Sequence, residues 1–252
     1  MTFNIDKFKH PEQNNSRYLK RLNYLEQNDR LNTKCIRETV ELGENNLKEG
    51  IRSFIIYGDP QSGKTEMMIA LTAKLLDSGH KIIVVLLNDN VELLKQNLRR
   101  FAKSGIDPTP KNFTEIIDVN VEIGNKEWVI FCKKNSSDLK KLISKISNIS
   151  YKVIIDDEGD YATPNSKINK NEQTKINELV GKLLGENGIY IGVTATPARL
   201  DLNNTFKNAN DRWIYFEPHN EYVGQDVFFP IKIDEKLEYK LTLLPNEYDD
   251  PK

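Results

Sequence analysis

Cysteine is nearly missing from this chain: Cys35 and Cys132 are the two in 252 residues, and they show no metal-ligand spacing. The three histidines, His10, His80 and His219, stand singly. This scatter argues against a thiolate or imidazole zinc site, and two lone thiols in a chain of this size fit a reducing compartment. Long apolar runs are absent as well. Nothing approaches the roughly 18 residues of a membrane span, and the opening MTFNIDKFKH has no apolar segment of a secretory signal. The chain therefore reads as cytoplasmic, with no membrane partner. Charge of one sign is also lacking, since 36 Lys+Arg against 37 Asp+Glu leave a formal net charge of -1. Nothing global advertises a polyanionic partner, although a neutral total still permits a local basic face. No internal repeat or low-complexity segment occurs.

What is present suits a soluble globular protein: 38% hydrophobic and 29% charged residues, in a chain long enough for one large domain with a sizeable core. Residues 1–50 are polar and rich in Asn, Lys, Glu and Arg. Within them, Leu19, Leu22 and Leu25, then Ile36, Val40 and Leu47, recur at helical spacing. They predict an N-terminal helical extension that covers one edge of the core. From about residue 51 to 230 the chain alternates short apolar runs with amphipathic stretches. The runs are 53–57, 81–87, 127–132, 151–155 and 188–193. Strands that are apolar throughout, separated by helices, indicate an α/β fold with a mostly parallel sheet covered on both faces. In such sheets ligands sit beyond the carboxyl ends of the strands. Past residue 200 the pattern weakens. Residues 201–212 read as a polar loop, and 227–244 alternate as an edge strand or hairpin would, so 231–252 are expected to form a C-terminal strand or hairpin and tail.

Every motif falls at a strand end. Gly58-Asp59-Pro60-Gln61-Ser62-Gly63-Lys64-Thr65 matches G-x-x-x-x-G-K-[ST] between an apolar strand and a helix. Glycines let the backbone curl so that N–H groups point at phosphate oxygens, and the helix N-terminus adds partial positive charge. Lys64 can bridge the β- and γ-phosphates, and the Thr65 hydroxyl can ligate Mg²⁺. The predicted cradle is Gly58, Gln61, Ser62, Gly63, Lys64 and Thr65. A second strand ends in Asp156, Asp157, Glu158 and Asp160, four acids within five positions. Carboxylates so crowded repel one another unless a cation is present, and a magnesium nucleotide supplies one. Asp157 is the predicted metal ligand beside Thr65. Glu158 is the candidate to orient and deprotonate an attacking water, which makes Lys64, Asp157 and Glu158 the catalytic candidates.

The P-loop, the D-E-G-D box at 157–160 and Thr194-Ala195-Thr196-Pro197 follow the order of superfamily-2 helicase motifs I, II and III. Over about residues 50–230 the chain resembles the first RecA-like domain of such motors. Shorter strings are similar to the Z1 domain, a helicase-like ATPase domain of bacterial endonuclease-like proteins linked to restriction or phage defence. They are PQSGKT (60–65), IIDDEGDYAT (154–163), KKN (133–135), GVTATPA (192–198) and NEYVG (220–224).

The resemblance implies ATP and Mg²⁺ as cofactors and DNA, or alternatively RNA, as partner. It implies that Asp160, Thr194 and Thr196 couple nucleotide state to the nucleic-acid track. Asn88, Asp89 and Asn90 would lie where motif Ia touches a phosphate backbone, followed by Lys95, Arg99, Arg100 and Lys103 on a helix. A solvated helix face explains those basic residues equally well. Motors of this class close ATP between two such domains, and the second needs on the order of 100–150 residues. No second set of motifs and no nuclease constellation is found here. Arg199 lies on the same domain and makes a poor finger. The expected function is half of a composite ATPase site, completed by a second domain of a longer chain or of a partner. Two other readings stay open: a P-loop small-molecule kinase, and an assembly module that uses nucleotide as a switch with little hydrolysis. The first leaves the T-A-T-P string unexplained, and the second leaves Glu158 without a purpose.

Overall fold

The computed structural model describes residues 16–29, 31–118, 120–159, 170–196 and 212–218, with backbone alone for 170–174. Among the described residues there are seven helices and seven strands, alternating from β1 to β6. The helices are α1 Arg17–Gln27, α2 Lys34–Lys48, α3 Lys64–Asp77, α4 Val91–Lys103, α5 Phe113–Ile116, α6 Ser136–Ile146 and α7 Lys170–Leu184. The strands are β1 Ser53–Tyr57, β2 Ile82–Leu87, β3 Lys111–Asn112, β4 Trp128–Lys133, β5 Val153–Asp157, β6 Ile189–Thr194 and β7 Trp213–Tyr215. They form one sheet in the order β3-β4-β2-β5-β6-β1-β7, and each of its pairings is parallel.

Parallel neighbours cannot be joined by tight hairpins, so each connection from β1 through β6 crosses a face of the sheet through a helix. Both faces are therefore covered, and the central strands must be apolar on both sides. β2 shows this most clearly, because all six of its residues are buried. Ile83, Val85 and Leu87 enter one core with α1–α4, while Ile82, Val84 and Leu86 enter a second core with α5–α7. The α/β architecture and the covered parallel sheet expected from the sequence are both present.

The N-terminal helices pack on the first face. Leu22 and Leu25 of α1 and Ile36 and Val40 of α2 are buried with Met68 and Leu71 of α3 in one core. The start of α1 is tied to the end of α3 by one carboxylate. Asp77 accepts from the Ser16 hydroxyl at 2.7 Å, from the Tyr18 N–H at 3.0 Å and from the Arg17 N–H at 3.2 Å.

Three small elements are additions to the sequence reading. β3 has two residues and α5 four, capped by a reciprocal Asn112–Glu115 box. β7 has three residues and extends the sheet beyond β1. Elements this short carry no measurable periodicity, and β7 is held by tertiary contacts. Tyr57 sits against Trp213 and Tyr215, with ring centroids 6.0 Å and 5.2 Å away. The predicted hairpin within 227–244, Arg199 and nearly all of the polar loop 201–212 lie outside the described residues. No helix among the described residues is long and apolar enough to cross a membrane.

Replacing Asp77 with Ala is expected to loosen the first turn of α1 by about 1 kcal/mol, the size of a lost helix cap. Hydrogen exchange checks this: amides 17–22 should exchange faster while β2 and β4 stay protected. Unchanged exchange in α1 would mean that its apolar face alone holds it.

Candidate functional site

The loop 58–63 leaves β1 and enters α3 at the carboxyl edge of the sheet. Its two conformational demands fall on Gly63, at φ 91° as the cap of α3, and on Gln61, at φ 61°. Gly58 is needed for a different reason than backbone curl. A Cβ there would come within 2.9 Å of the Phe216 carbonyl oxygen. The chain after β7 closes over Gly58, with the Phe216 N–H donating to the Tyr57 carbonyl at 2.7 Å. The Gly58 N–H donates in turn to the Thr194 carbonyl at 3.1 Å, so the base of the loop is joined to β6.

Lys64 folds back across the loop, and its ammonium donates to the carbonyls of Gly58, at 2.9 Å, and Asp59. Burial pushes its pKa below the usual lysine value, while the charges of Asp157, Asp59 and Glu158 pull it the other way. The ammonium and the acidic turn thus share one electrostatic neighbourhood. Ser62 is buried, and its hydroxyl has no hydrogen-bond partner. Such an orphaned group is costly, and it suits a site that awaits an anion. The Thr65 hydroxyl accepts a long 3.4 Å contact from the Arg100 guanidinium.

The acidic turn is organised from beneath. Asp156 is fully buried and pairs with the equally buried Lys134 at 2.8 Å, and the Tyr190 hydroxyl donates to its other oxygen at 2.9 Å. One of the four clustered acids therefore has its own cation inside the core, a partner that the sequence reading did not foresee. The Lys134 ammonium also donates to the carbonyls of Asp157, at 3.0 Å, and Glu158, at 2.8 Å. Gly159 completes the turn by donating to the Val193 carbonyl at 3.0 Å. A Cβ on Gly159 would lie only 3.2 Å from the Tyr190 hydroxyl. Asp157 differs from Asp156 in that its carboxyl is pushed up to about 6, first by burial and then by the neighbouring Glu158 charge. A carboxylate under that pressure favours a cation beside it. Glu158 adopts φ 56°, in the left-handed region, and its side chain accepts from the Asn88 amide. Asp160 lies outside the described residues.

Lys133-Lys134-Asn135 is the string that binds the site's loops together, a role that sequence reasoning missed. Lys133 pairs with Asp89 at 2.7 Å, and that bond holds the Asp89 carboxyl below its usual range. Asn135 donates to Asp89 at 2.9 Å and also caps α6 by accepting from the Asp138 N–H. Tyr190 was missed too. Its one signal is a hydroxyl inside an apolar strand, which requires a buried partner.

The segment 88–90 is engaged within the fold. Asn88 reaches Glu158, Asp89 reaches Lys133, and Asn90 caps α4 by accepting from the Glu92 and Leu93 N–H groups at 2.9 and 3.1 Å. Lys95, Arg99 and Lys103 are exposed on α4, with Lys95 also pairing with Glu92. Thr194 is buried and its hydroxyl accepts from the Thr196 N–H at 2.9 Å.

Residues 30–199, well over half of the chain, match the family described as type III restriction enzyme, res subunit. The chain belongs to that family. In three dimensions it is similar to a solved structure titled "Crystal Structure of DUF1998 helicase MrfA bound to DNA". The TM-score is 0.51 at 14% identity, and the match covers 79% of this chain and 29% of that one. The chain thus spans less than a third of that helicase. No curated protein matches it. The RecA-like fold and the family together place this chain among the superfamily-2 helicase-like ATPase domains.

Lys134→Met should destabilise the domain by about 3–5 kcal/mol, because it strands a buried carboxylate. Urea unfolding measures this, and adding Asp156→Asn should recover much of the loss. A cost below about 1 kcal/mol, typical of an exposed pair, would show that the charge is not confined as described.

Proposed function

We propose that this domain binds Mg-ATP and hydrolyses it as one half of a composite motor site. In this reading the loop amides from Gly58 to Gly63, including those of Gln61 and Ser62, cradle the phosphates. Lys64 leaves the Gly58 and Asp59 carbonyls for the β- and γ-phosphates. Thr65 and Asp157 hold Mg²⁺, which supplies charge neutralisation at the transferring phosphoryl group. Glu158 orients the attacking water. Asp160, Thr194 and Thr196 transmit the nucleotide state.

The observation that carries this reading is the placement of the 58–63 loop and the Asp157–Glu158 turn on either side of β6 at one edge of the sheet, with a buried Ser62 hydroxyl that has no partner, and an Asp157 carboxyl raised to about 6 agrees with it. A cation pulled back onto backbone carbonyls and a carboxylate in want of one are complementary, and a magnesium triphosphate satisfies both. The family supports a nucleic-acid-dependent motor over a metabolite kinase, and the printed title of the similar helicase names DNA as what that protein is bound to. We extend the reading to DNA as partner, with Asn88, Asn90 and Arg99 as candidate contacts. The short strings shared with the Z1 domain favour a restriction or defence context. A second RecA-like domain, in the same longer protein or in a partner, would supply the arginine finger.

The test is ATP hydrolysis by the purified chain, with and without single- and double-stranded DNA. The chain should bind Mg-ATP and turn it over slowly, since a missing finger is worth about 10³–10⁵ in rate. Lys64→Ala should abolish binding. Glu158→Gln should keep binding and lose about 10²-fold or more in turnover, as removal of a positioned base does. Robust unwinding by the monomer would contradict the half-site reading, and phosphate transfer to a metabolite rather than water would contradict the motor reading.

A further inference from the structure

We infer that Asn88 is a positioning residue that restrains Glu158, and that α4 releases this restraint when its exposed basic face engages a polyanionic backbone. The inference rests on the motor reading above and adds a regulatory element to it.

The contact follows from sheet register. β2 and β5 are adjacent, with Leu86 opposite Asp156. Two residues further along each strand, Asn88 and Glu158 emerge side by side at the carboxyl edge. There the Asn88 amide donates to a Glu158 carboxylate oxygen. A carboxylate that must grip and deprotonate a water needs its oxygens free and basic. An amide donor occupies one of those oxygens and fixes the direction of the side chain.

Two features mark the contact as a device rather than as packing. The Glu158 backbone sits in the left-handed region at φ 56°, where a glutamate is strained, and Lys134 pins it through the carbonyls of 157 and 158. With the backbone pinned, side-chain torsion is the freedom that remains, and Asn88 sets it. In addition, the buried Oδ1 of the Asn88 side chain has no donor. The side-chain amide is thus satisfied on one side only, at the cost of a buried acceptor left unpaired.

The loop cannot move alone. Asp89 is bound to Lys133 and Asn135, Asn90 caps α4, and the Asn90 N–H closes a turn onto the Asn88 carbonyl at 2.6 Å. Displacing α4 therefore displaces Asn88. Farther along the same helix Arg100 touches the Thr65 hydroxyl, so α4 meets the nucleotide site at two points. Its outward side carries Lys95, Arg99 and Lys103 at successive four-residue steps, the spacing of one helical face. A phosphate backbone is the chemistry that such a face attracts.

The experiment is single-turnover hydrolysis of labelled Mg-ATP, with protein in excess, for the wild-type chain, Asn88→Ala and Asn88→Asp. Each is measured with and without a DNA duplex, beside the dissociation constant for Mg-ATP. Removing the donor should raise the DNA-free rate about ten- to hundredfold, the rate equivalent of one hydrogen bond to a charged group. Asn88→Asp, which sets a like charge against Glu158, should raise it too. Nucleotide affinity should stay unchanged, and the stimulation measured at saturating DNA, where a weakened DNA contact no longer matters, should shrink. A DNA-free rate that stays level or falls in both variants, with binding retained, overturns the restraint and leaves the motor reading intact. Failure of the wild-type chain to bind Mg-ATP overturns both.

Discussion

The arrangement at the carboxyl edge of the sheet depends on one buried charge. Lys134 and Asp156 face each other with no solvent access, and a charge in such a place must be paired and fully hydrogen-bonded to be tolerated. The requirement propagates outward. Asp156 takes Lys134 on one oxygen and Tyr190 on the other. The remaining protons of the ammonium go to the carbonyls of Asp157 and Glu158. The turn that presents the proposed metal ligand and water-orienting acid is thus shaped from below, and Glu158 is held in a backbone conformation that it would not adopt alone. An apolar residue at 134 could fill the same space, but it could not bind those two carbonyls.

A second constraint is the sheet itself. Parallel strands with helical crossovers deliver their carboxyl ends to one edge. β1, β2, β4, β5 and β6 each contribute a loop there, and the loops are tied pairwise rather than left separate. Gly58 is joined to Thr194, Asn88 to Glu158 and Asp89 to Lys133. The short β7 seals the outer side of β1, so close that residue 58 has no room for a side chain. Ties of this kind convert a set of loops into elements that shift together, which is the condition for one binding event to be felt at another.

Much of this was legible beforehand, for identifiable reasons. Strands buried on both faces read as unbroken apolar runs, and five of them were found within a residue or two of their observed ends. The phosphate loop was legible because its residue types answer to local demands, a positive φ at Gly63 above all. β3, α5 and β7 were not, because two to four residues hold no period and their stability comes from neighbours. The cluster of acids was readable as an excess of negative charge. That one of them would be neutralised by a lysine more than 20 positions away was not readable, since pairing across strands depends on their order in the sheet.

By itself the sequence determined the α/β class, the phosphate loop, the acidic strand end and the third motif, because each of these is written in neighbouring residues or in a short period. The tertiary structure alone decided which partners those residues meet. It turned Lys133-Lys134-Asn135 from a polar string into the tie among three loops. It set Asn88 beside Glu158, and it made Gly58 a matter of the strand beside it. The reason is physical: spacing along a chain constrains local conformation, whereas burial, pairing and strain depend on strand order and register, which bring distant residues within hydrogen-bonding distance.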